Sequence, residues 1–222
     1  MPVHNNLLGR AVPTATAVLF VVLTGLVTMR SAPLVRLDTH VSDAAHALAL
    51  GHPAWRAAMS AVTHTADSAV IWVLALLALL VLLARRDRSA IVLLVATAAA
   101  ATVVRHGVLW LVHRPRPADR LTAASGFSYP SGHTTSSAVA AGLVIVLGWR
   151  LLPNRWSRLT LAGVAGGWAV LVGVSRVALV AHWPTDVIGG WLLATTVIVT
   201  ATLLWRRPAG VQGDASPPND PG

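Results

Sequence analysis

The chain has 222 residues, of which 55% are hydrophobic and 11% charged, with a mean hydropathy of +0.66 and a formal net charge of +9. This composition excludes an ordinary soluble domain and is typical of a polytopic membrane protein. The sequence contains no cysteine, which excludes disulfides, thiolate metal sites and cysteine catalysis.

Six apolar runs are long enough to cross a membrane, which takes about 20 mainly apolar residues per helix. They cover residues 11–29, 68–84, 89–112, 133–149, 159–181 and 184–205. The first run also has the length of a signal peptide. Because no convincing small-residue cleavage site follows it, we expect this run to be retained as a helix.

Two segments lie outside these runs. Residues 31–67 mix aspartate and histidine with alanine and leucine, which predicts an outer segment of one or two amphipathic helices at the membrane interface. Residues 208–222 are rich in proline, glycine and aspartate and are predicted to be disordered. The predicted fold is therefore all-α: a membrane domain of six transmembrane helices over residues 1–207, with an outer interfacial helical segment, followed by a disordered tail.

The arginines predict the orientation of the chain. Six spans place both termini on one side, and more arginines lie in the loops on that side than on the other. The positive-inside rule then makes both termini cytoplasmic, and it brings the loop 113–132, the start of the fourth run and the turn between the last two runs to the outer face. We interpret these arginines as topology signals and lipid-headgroup contacts, and expect no nucleic-acid partner.

All eight acidic residues are aspartate, and they are scattered along the chain. A two-metal hydrolase needs clustered carboxylates, so the sequence predicts neither a metal site nor a cofactor. Ionisable residues instead fall in three short phrases at the ends of apolar runs. Charge at such depth is costly and indicates a functional site.

The last phrase reads Ser-Arg, five residues, His, three residues, Asp, at 175–186. Pro184 suits the first turn of a helix, which places Asp186 where its carboxylate reaches back to His182. An aspartate on one imidazole nitrogen leaves the other free to attack, although Asp186 alternatively serves only as a helix cap. The planar guanidinium of Arg176 matches phosphate, and the alternative is an arginine that extends to the interface.

A second phrase, Pro-Ser-Gly-His at 130–133, opens the fourth run. Helix N-termini present free N–H groups to anions. Gly132 allows close approach of a phosphate, Ser131 supplies donors, and His133 is placed to protonate a leaving oxygen. The alternative is an ordinary turn with a serine cap.

The remaining phrase, Arg-Pro-Arg-Pro at 114–117, is stiff and extended because proline restricts the residue before it. We expect it to hold an arginine over the site, and for both Arg114 and Arg116 the alternative is anchoring at the membrane interface. Six further histidines, at positions 40, 46, 52, 64, 106 and 113, lack a partner motif, and we assign no role to them.

Together the three phrases resemble the type 2 phosphatidic acid phosphatase (PAP2) family, which shares a superfamily with the vanadium haloperoxidases. That family's signature is Lys, six residues, Arg-Pro; then Pro-Ser-Gly-His; then Ser-Arg, five residues, His, three residues, Asp. The resemblance covers about residues 105–190 and implies a nucleophile that becomes phosphohistidine, His182, oriented by Asp186. It also implies that His133 protonates the leaving group, that no metal takes part, and that the phosphoryl oxygens are held by Arg116, Ser131, Gly132 and Arg176.

The first part of the signature is broken in this chain. Aligning Arg116 with the family arginine puts Leu109 at the lysine position, and aligning Arg114 puts Gly107 there. Arg105 lies one helical turn before Leu109 and shares its face, so we expect Arg105 to supply the missing positive charge.

The sequence therefore predicts a multi-pass protein of the cell membrane that hydrolyses a lipid phosphate or diphosphate at the outer face. Phosphatidic acid, phosphatidylglycerol phosphate and a polyprenyl diphosphate such as undecaprenyl diphosphate all fit. Two alternatives remain open: a protein that binds or transports a lipid phosphate without cleaving it, and a degenerate family member without full activity. The lipid substrate and the bilayer are the partners that the sequence indicates.

Overall fold

The structure is a computed structural model in which the backbone of residues 3–205 and the side chains of residues 11–205 are described. This part of the chain forms eight α-helices and no strand, which confirms the predicted all-α class. The helices are α1 Val3–Thr28, α2 Ala32–Gly51, α3 Pro53–His64, α4 Ser68–Ala84, α5 Arg88–Val112, α6 Gly132–Leu151, α7 Arg155–Ala178 and α8 Pro184–Trp205. The tail predicted to be disordered, 208–222, lies outside the described residues.

Six helical stretches of the described residues are long and apolar enough to cross a membrane, and each overlaps one of the predicted runs. They are Ala11–Thr28, Pro53–Ala84, Arg88–Val112, Gly132–Leu151, Arg155–Ala178 and Pro184–Trp205. The chain is therefore a multi-pass membrane protein. The segment predicted to hold one or two helices, residues 31–67, contains two, α2 and α3, which pack against α7, and α2 also contacts α8.

The seventh helix ends three residues before the predicted boundary at 181. Val180 adopts a left-handed conformation with φ of 53°, which an α-helix cannot continue through. The turn closes on the carbonyl of Arg176, which accepts the backbone N–H groups of Ala181 at 2.9 Å and His182 at 3.2 Å. His182 therefore lies in a tight turn between α7 and α8 rather than on a helix.

Close packing of α6 and α8 brings two of the charged phrases together. Gly190 lies so near Thr134 and the carbonyl of Ser131 that an added Cβ would be 3.1 to 3.2 Å from them. Small residues permit this approach between membrane helices. The backbone N–H of Ser131 also donates to the carbonyl of Asp186 at 3.0 Å. The start of α6 is thereby fixed against the first turn of α8.

Candidate active site

A buried histidine–aspartate pair lies at the centre of the site. Nδ1 of His182 is 3.4 Å from Oδ2 of Asp186, and the two residues are 1% and 0% exposed. The same carboxylate oxygen accepts the backbone N–H of Trp183 at 2.9 Å. Asp186 therefore combines the two roles that the sequence left as alternatives: it stabilises the start of α8 and contacts the imidazole.

The other nitrogen of the same imidazole faces an arginine. Nε2 of His182 is 2.8 Å from Nη1 of Arg116, and a guanidinium can only donate. The hydrogen-bond network therefore assigns the proton to Nδ1 and the lone pair to Nε2. Burial lowers the pKa of His182 to about 4, an effect that Asp186 opposes. The ring is neutral at neutral pH, as a nitrogen nucleophile must be.

Arg116 is held in place by the loop that precedes α6. Its guanidinium donates to the carbonyls of Ser125, Gly126 and Phe127 at 3.0 to 3.2 Å and to the carbonyl of Ala181 at 2.9 Å. Burial is the main cause that lowers its pKa. Arg116 therefore contacts the imidazole of His182 directly, and it also donates hydrogen bonds to backbone carbonyls.

A second arginine of the same phrase holds the aspartate from the opposite side. Nη1 of Arg114 donates to Oδ1 of Asp186 at 2.6 Å and to Oγ1 of Thr185 at 2.7 Å. Its Nη2 donates to Oδ2 of Asp38 at 2.5 Å, and Asp38 also accepts the backbone N–H and the hydroxyl of Thr185. Arg114 is thus a buried bridge between two carboxylates, not an interface anchor.

Sequence reasoning missed Asp38, which lies on α2 in the segment that was predicted only as one or two interfacial helices. Its carboxylate is 1% exposed and reaches the first turn of α8, 147 positions along the chain. A single sequence carries no signal for a contact between positions so far apart. The only local sign was the composition of 31–67, where aspartate recurs among apolar residues.

Two further arginines present buried nitrogens without a partner. Within the side chains that the structure describes, the Nε atoms of Arg105 and Arg176 are buried and make no hydrogen bond. Nη1 of Arg176 donates to Oγ1 of Thr63 at 2.7 Å. An unpaired donor on a buried cation is costly, so both nitrogens indicate that an anion belongs there.

Arg105 reaches the start of α6. A Cβ built on Gly132 would lie 2.7 Å from Nη2 of Arg105, so glycine leaves the room that the guanidinium occupies. Arg105 also interacts electrostatically with Arg116. The residue expected to replace the missing family lysine is therefore adjacent to the glycine of the Pro-Ser-Gly-His phrase.

Ser131 is fully buried before α6. Its hydroxyl accepts from Oγ1 of Thr134 at 2.9 Å and makes no capping bond, so the alternative of an ordinary serine cap is not realised. Its backbone N–H, which we expected to bind an anion, already donates to the carbonyl of Asp186. The hydroxyl is the donor that remains.

His133 lies in the first turn of α6 and contacts another carboxylate. Its Nε2 is 3.1 Å from Oδ1 of Asp67, and Oδ2 of Asp67 is 2.8 Å from Nδ1 of His64. His133 also interacts electrostatically with Arg176 and Arg116, as His182 does. The two histidines thus share one pair of cations, and His64, for which the sequence gave no role, has a partner.

The sequence that forms this site matches a known protein family. The family model described as PAP2 superfamily matches residues 89–209, which is more than half of the chain. An undecaprenyl-diphosphatase of Sulfolobus acidocaldarius is 40% identical over 83 residues, which are 37% of this chain and 32% of that protein. Phosphatidylglycerophosphatase B of Escherichia coli K12 is 38% identical over 86 residues, or 39% and 32%. The matched region spans about a third of the length of these relatives.

A solved structure has the same fold. The crystal structure of a transmembrane PAP2 type phosphatidylglycerolphosphate phosphatase from Bacillus subtilis superimposes with a TM-score of 0.76. The match covers 87% of this chain and 95% of that chain at 24% sequence identity. At this identity the likeness concerns the arrangement of the helices.

Replacing Asp38 by alanine is expected to destabilise the protein by about 3 kcal/mol, because it removes one carboxylate from a buried ion pair and leaves part of the Arg114 guanidinium unpaired. Thermal unfolding in detergent measures the effect. Asp43→Ala is the matched control, since Asp43 lies exposed on the same helix, and its stability should stay within about 0.5 kcal/mol of the unaltered protein. Equal stability of the two variants would contradict the bridge.

Proposed function

The chain belongs to the PAP2 superfamily, and from that premise we propose that it is a membrane phosphatase that hydrolyses a lipid phosphate or diphosphate through a phosphohistidine. The observation that carries the proposal is the environment of His182: Nδ1 faces a buried aspartate while Nε2 faces a guanidinium. A neutral imidazole with a directed lone pair and a cation beside it suits attack on phosphorus.

In the first step Nε2 of His182 bonds to phosphorus as the bond to the leaving oxygen breaks. For this to happen, Arg116 exchanges its hydrogen bond to Nε2 for one to a phosphoryl oxygen, which frees the lone pair. His133 gives a proton to the leaving oxygen. The phosphorylated ring carries positive charge, which the carboxylate of Asp186 stabilises through Nδ1–H.

In the second step water attacks the phosphohistidine. His133, now neutral, takes the proton of the attacking water, and inorganic phosphate leaves as the electron pair returns to Nε2 of His182. Throughout both steps the charge on the phosphoryl oxygens is balanced by guanidinium groups. The buried Nε atoms of Arg105 and Arg176, together with the Ser131 hydroxyl, supply donors that the protein itself leaves for an anion.

The substrate that we propose is a phosphatidylglycerol phosphate, a phosphatidic acid or a polyprenyl diphosphate. The names of the matched relatives support the first and the last of these classes. We also propose that the site faces outward from the cell membrane with both termini in the cytoplasm, which is supported by the distribution of arginines between loops. The mechanism needs no metal, since proton transfer and charge balance are assigned to side chains.

The purified protein is expected to release phosphate from at least one of three lipids in the presence of EDTA: phosphatidic acid, phosphatidylglycerol phosphate or undecaprenyl diphosphate. His182→Asn should reduce this release at least about 1,000-fold, because it removes the nucleophile. His40→Asn, at an exposed position of α2, is the control and should keep full activity.

Three outcomes would count against this function. Binding of all three lipids without phosphate release by the unaltered protein favours a transport or binding protein, or a degenerate family member. Release that survives in His182→Asn contradicts the nucleophile. Loss of release in EDTA, restored by added divalent metal, contradicts the metal-free mechanism.

Removing the Arg105 side chain is expected to lower kcat/KM about 10- to 100-fold, the effect of losing a hydrogen bond to a charged phosphate. Gly132→Ala should act in the same direction, since the added methyl displaces the end of the Arg105 side chain rather than any backbone. Arg36→Ala, at an exposed position of α2, is the control. Unchanged kcat/KM in Arg105→Ala would contradict the prediction that Arg105 supplies the positive charge of the missing family lysine.

The pH dependence of kcat/KM is expected to be bell-shaped. Protonation of His182 removes its lone pair, and because burial lowers its pKa to about 4, the acid limb should fall as the pH drops through about 4 rather than through the ordinary value of about 6.5. The alkaline limb reports loss of the proton from His133. The profile is measured with a monophosphate and a diphosphate, and a limb at the same pH for both substrates belongs to the protein. A monotonic profile for both substrates would contradict the roles assigned to His182 and His133.

A further inference from the structure

Three of the eight helices that the structure describes begin after an aspartate or asparagine, and one of these residues does not act as a cap. Asp87 accepts the backbone N–H of Ala90 at 3.0 Å, and Asn154 accepts that of Ser157 at 2.8 Å. Asp67 occupies the equivalent position before α4 and makes no capping bond. A carboxylate at this position ordinarily bonds to the helix, so its engagement elsewhere requires a reason.

Both oxygens of Asp67 face histidine rings instead. Oδ1 is 3.1 Å from Nε2 of His133, at the start of α6, and Oδ2 is 2.8 Å from Nδ1 of His64, at the end of α3. The exposed fraction of the side chain rises outward, from 26% for His133 to 44% for Asp67 and 62% for His64. The three groups form a row that leads from the site to the surface.

Resting on the phosphatase function above, we propose that Asp67 is a positioning residue for His133 and that His64 holds Asp67 in place. The site then contains two histidine–aspartate pairs with opposite tasks. Asp186 holds the proton of the neutral His182 ring on Nδ1, so that the lone pair on Nε2 is directed at phosphorus. Asp67 faces a second imidazole and stabilises its protonated form, which is what a proton donor needs.

The surroundings of His133 explain why it needs such support. Arg176 on α7 and Arg116 in the loop before α6 both interact electrostatically with it, and two cations oppose a third. Asp67 and, through it, His64 are the groups that face His133 from the turn between α3 and α4. With the charge of Asp67 removed, the imidazolium form would be disfavoured by both arginines.

The proton moves as follows. His133 begins as imidazolium, with Nε2–H donating to Oδ1 of Asp67. As Nε2 of His182 bonds to phosphorus, the electron pair of the breaking bond stays on the leaving oxygen, which takes the proton from Nδ1 of His133. His133 is then neutral with its proton on Nε2. The attacking water later returns a proton to Nδ1, so no other acid or base is consumed.

Comparing the effect of a substitution on kcat/KM for two substrates with different leaving groups separates the loss of a positioned proton donor from a general disturbance of the site. Cleavage of a prenyl monophosphate expels the prenyl alcohol, whose oxygen needs a proton. Cleavage of the prenyl diphosphate of the same chain length expels the prenyl monophosphate, which is stable as an anion. Asp67→Asn keeps the size of the side chain and removes its charge. We expect kcat/KM for the monophosphate to fall about 10- to 100-fold and that for the diphosphate to change less than about 3-fold.

Four further variants complete the experiment. His133→Asn should show the same preference for the diphosphate, and adding Asp67→Asn to it should have no further effect. His64→Gln should shift the preference in the same direction by a smaller factor. Asp87→Asn, at a position that does cap its helix, should leave the ratio of the two substrates unchanged.

The outcomes distinguish this proposal from the function on which it rests. Equal slowing of both substrates by Asp67→Asn, or no slowing of either, overturns the positioning role while phosphate release by the unaltered protein upholds the function. An additional loss when Asp67→Asn is combined with His133→Asn also overturns it. Failure of the unaltered protein to release phosphate from these two substrates and from all three lipids named under the proposed function overturns both.

Discussion

Two carboxylates, Asp38 and Asp186, are buried side by side, and the guanidinium of Arg114 lies between them. Like charges in a poorly solvated interior repel each other, so neither carboxylate is tolerated there without the shared cation. The bridge also joins three parts of the chain: α2, the loop after α5 and the first turn of α8. The orientation of Asp186, and with it that of His182, depends on this one arrangement.

The Arg-Pro-Arg-Pro phrase places cations on both sides of the histidine–aspartate pair. In an extended backbone residues two positions apart face the same side, and the prolines keep this segment extended. Arg114 therefore reaches the aspartate while Arg116 reaches the imidazole. A short, stiff phrase thus sets the charge at each end of the pair, with no helix needed to carry either arginine.

Much of the fold could be predicted because hydropathy alone draws the spans. The charged phrases could be placed together because the topology brings their ends to one face. The end of α7 could not be predicted, since a left-handed valine at position 180 leaves no mark in apolar periodicity. Spacing along a helix was enough to suggest Arg105, which lies one turn before the position of the missing lysine. Its proximity to Gly132, 27 positions along the chain, comes from the packing of the helices.

The contacts that could not be predicted are those between distant positions with unremarkable sequence surroundings. Asp38 and Thr185 are 147 positions apart, and His133 and Asp67 are 66 apart. Asp67 in particular reads as an ordinary helix cap, because its local sequence before an apolar run is that of a cap. Its actual partners are determined by how α3, α4 and α6 meet, which no local pattern encodes.

Helix α4 has 17 residues and no fully buried side chain. Ala78, Leu79 and Leu82 are partly buried against the core, and most of the remaining surface of the helix is exposed. At 1.5 Å per residue it is about 25 Å long, which is shorter than a hydrocarbon layer of about 30 Å. The ends of so short a helix lie at the level where water and headgroups begin to penetrate. Asp67, the residue just before this helix, therefore keeps part of its hydration. Its carboxylate avoids the free-energy cost that full immersion in the hydrocarbon layer would bring.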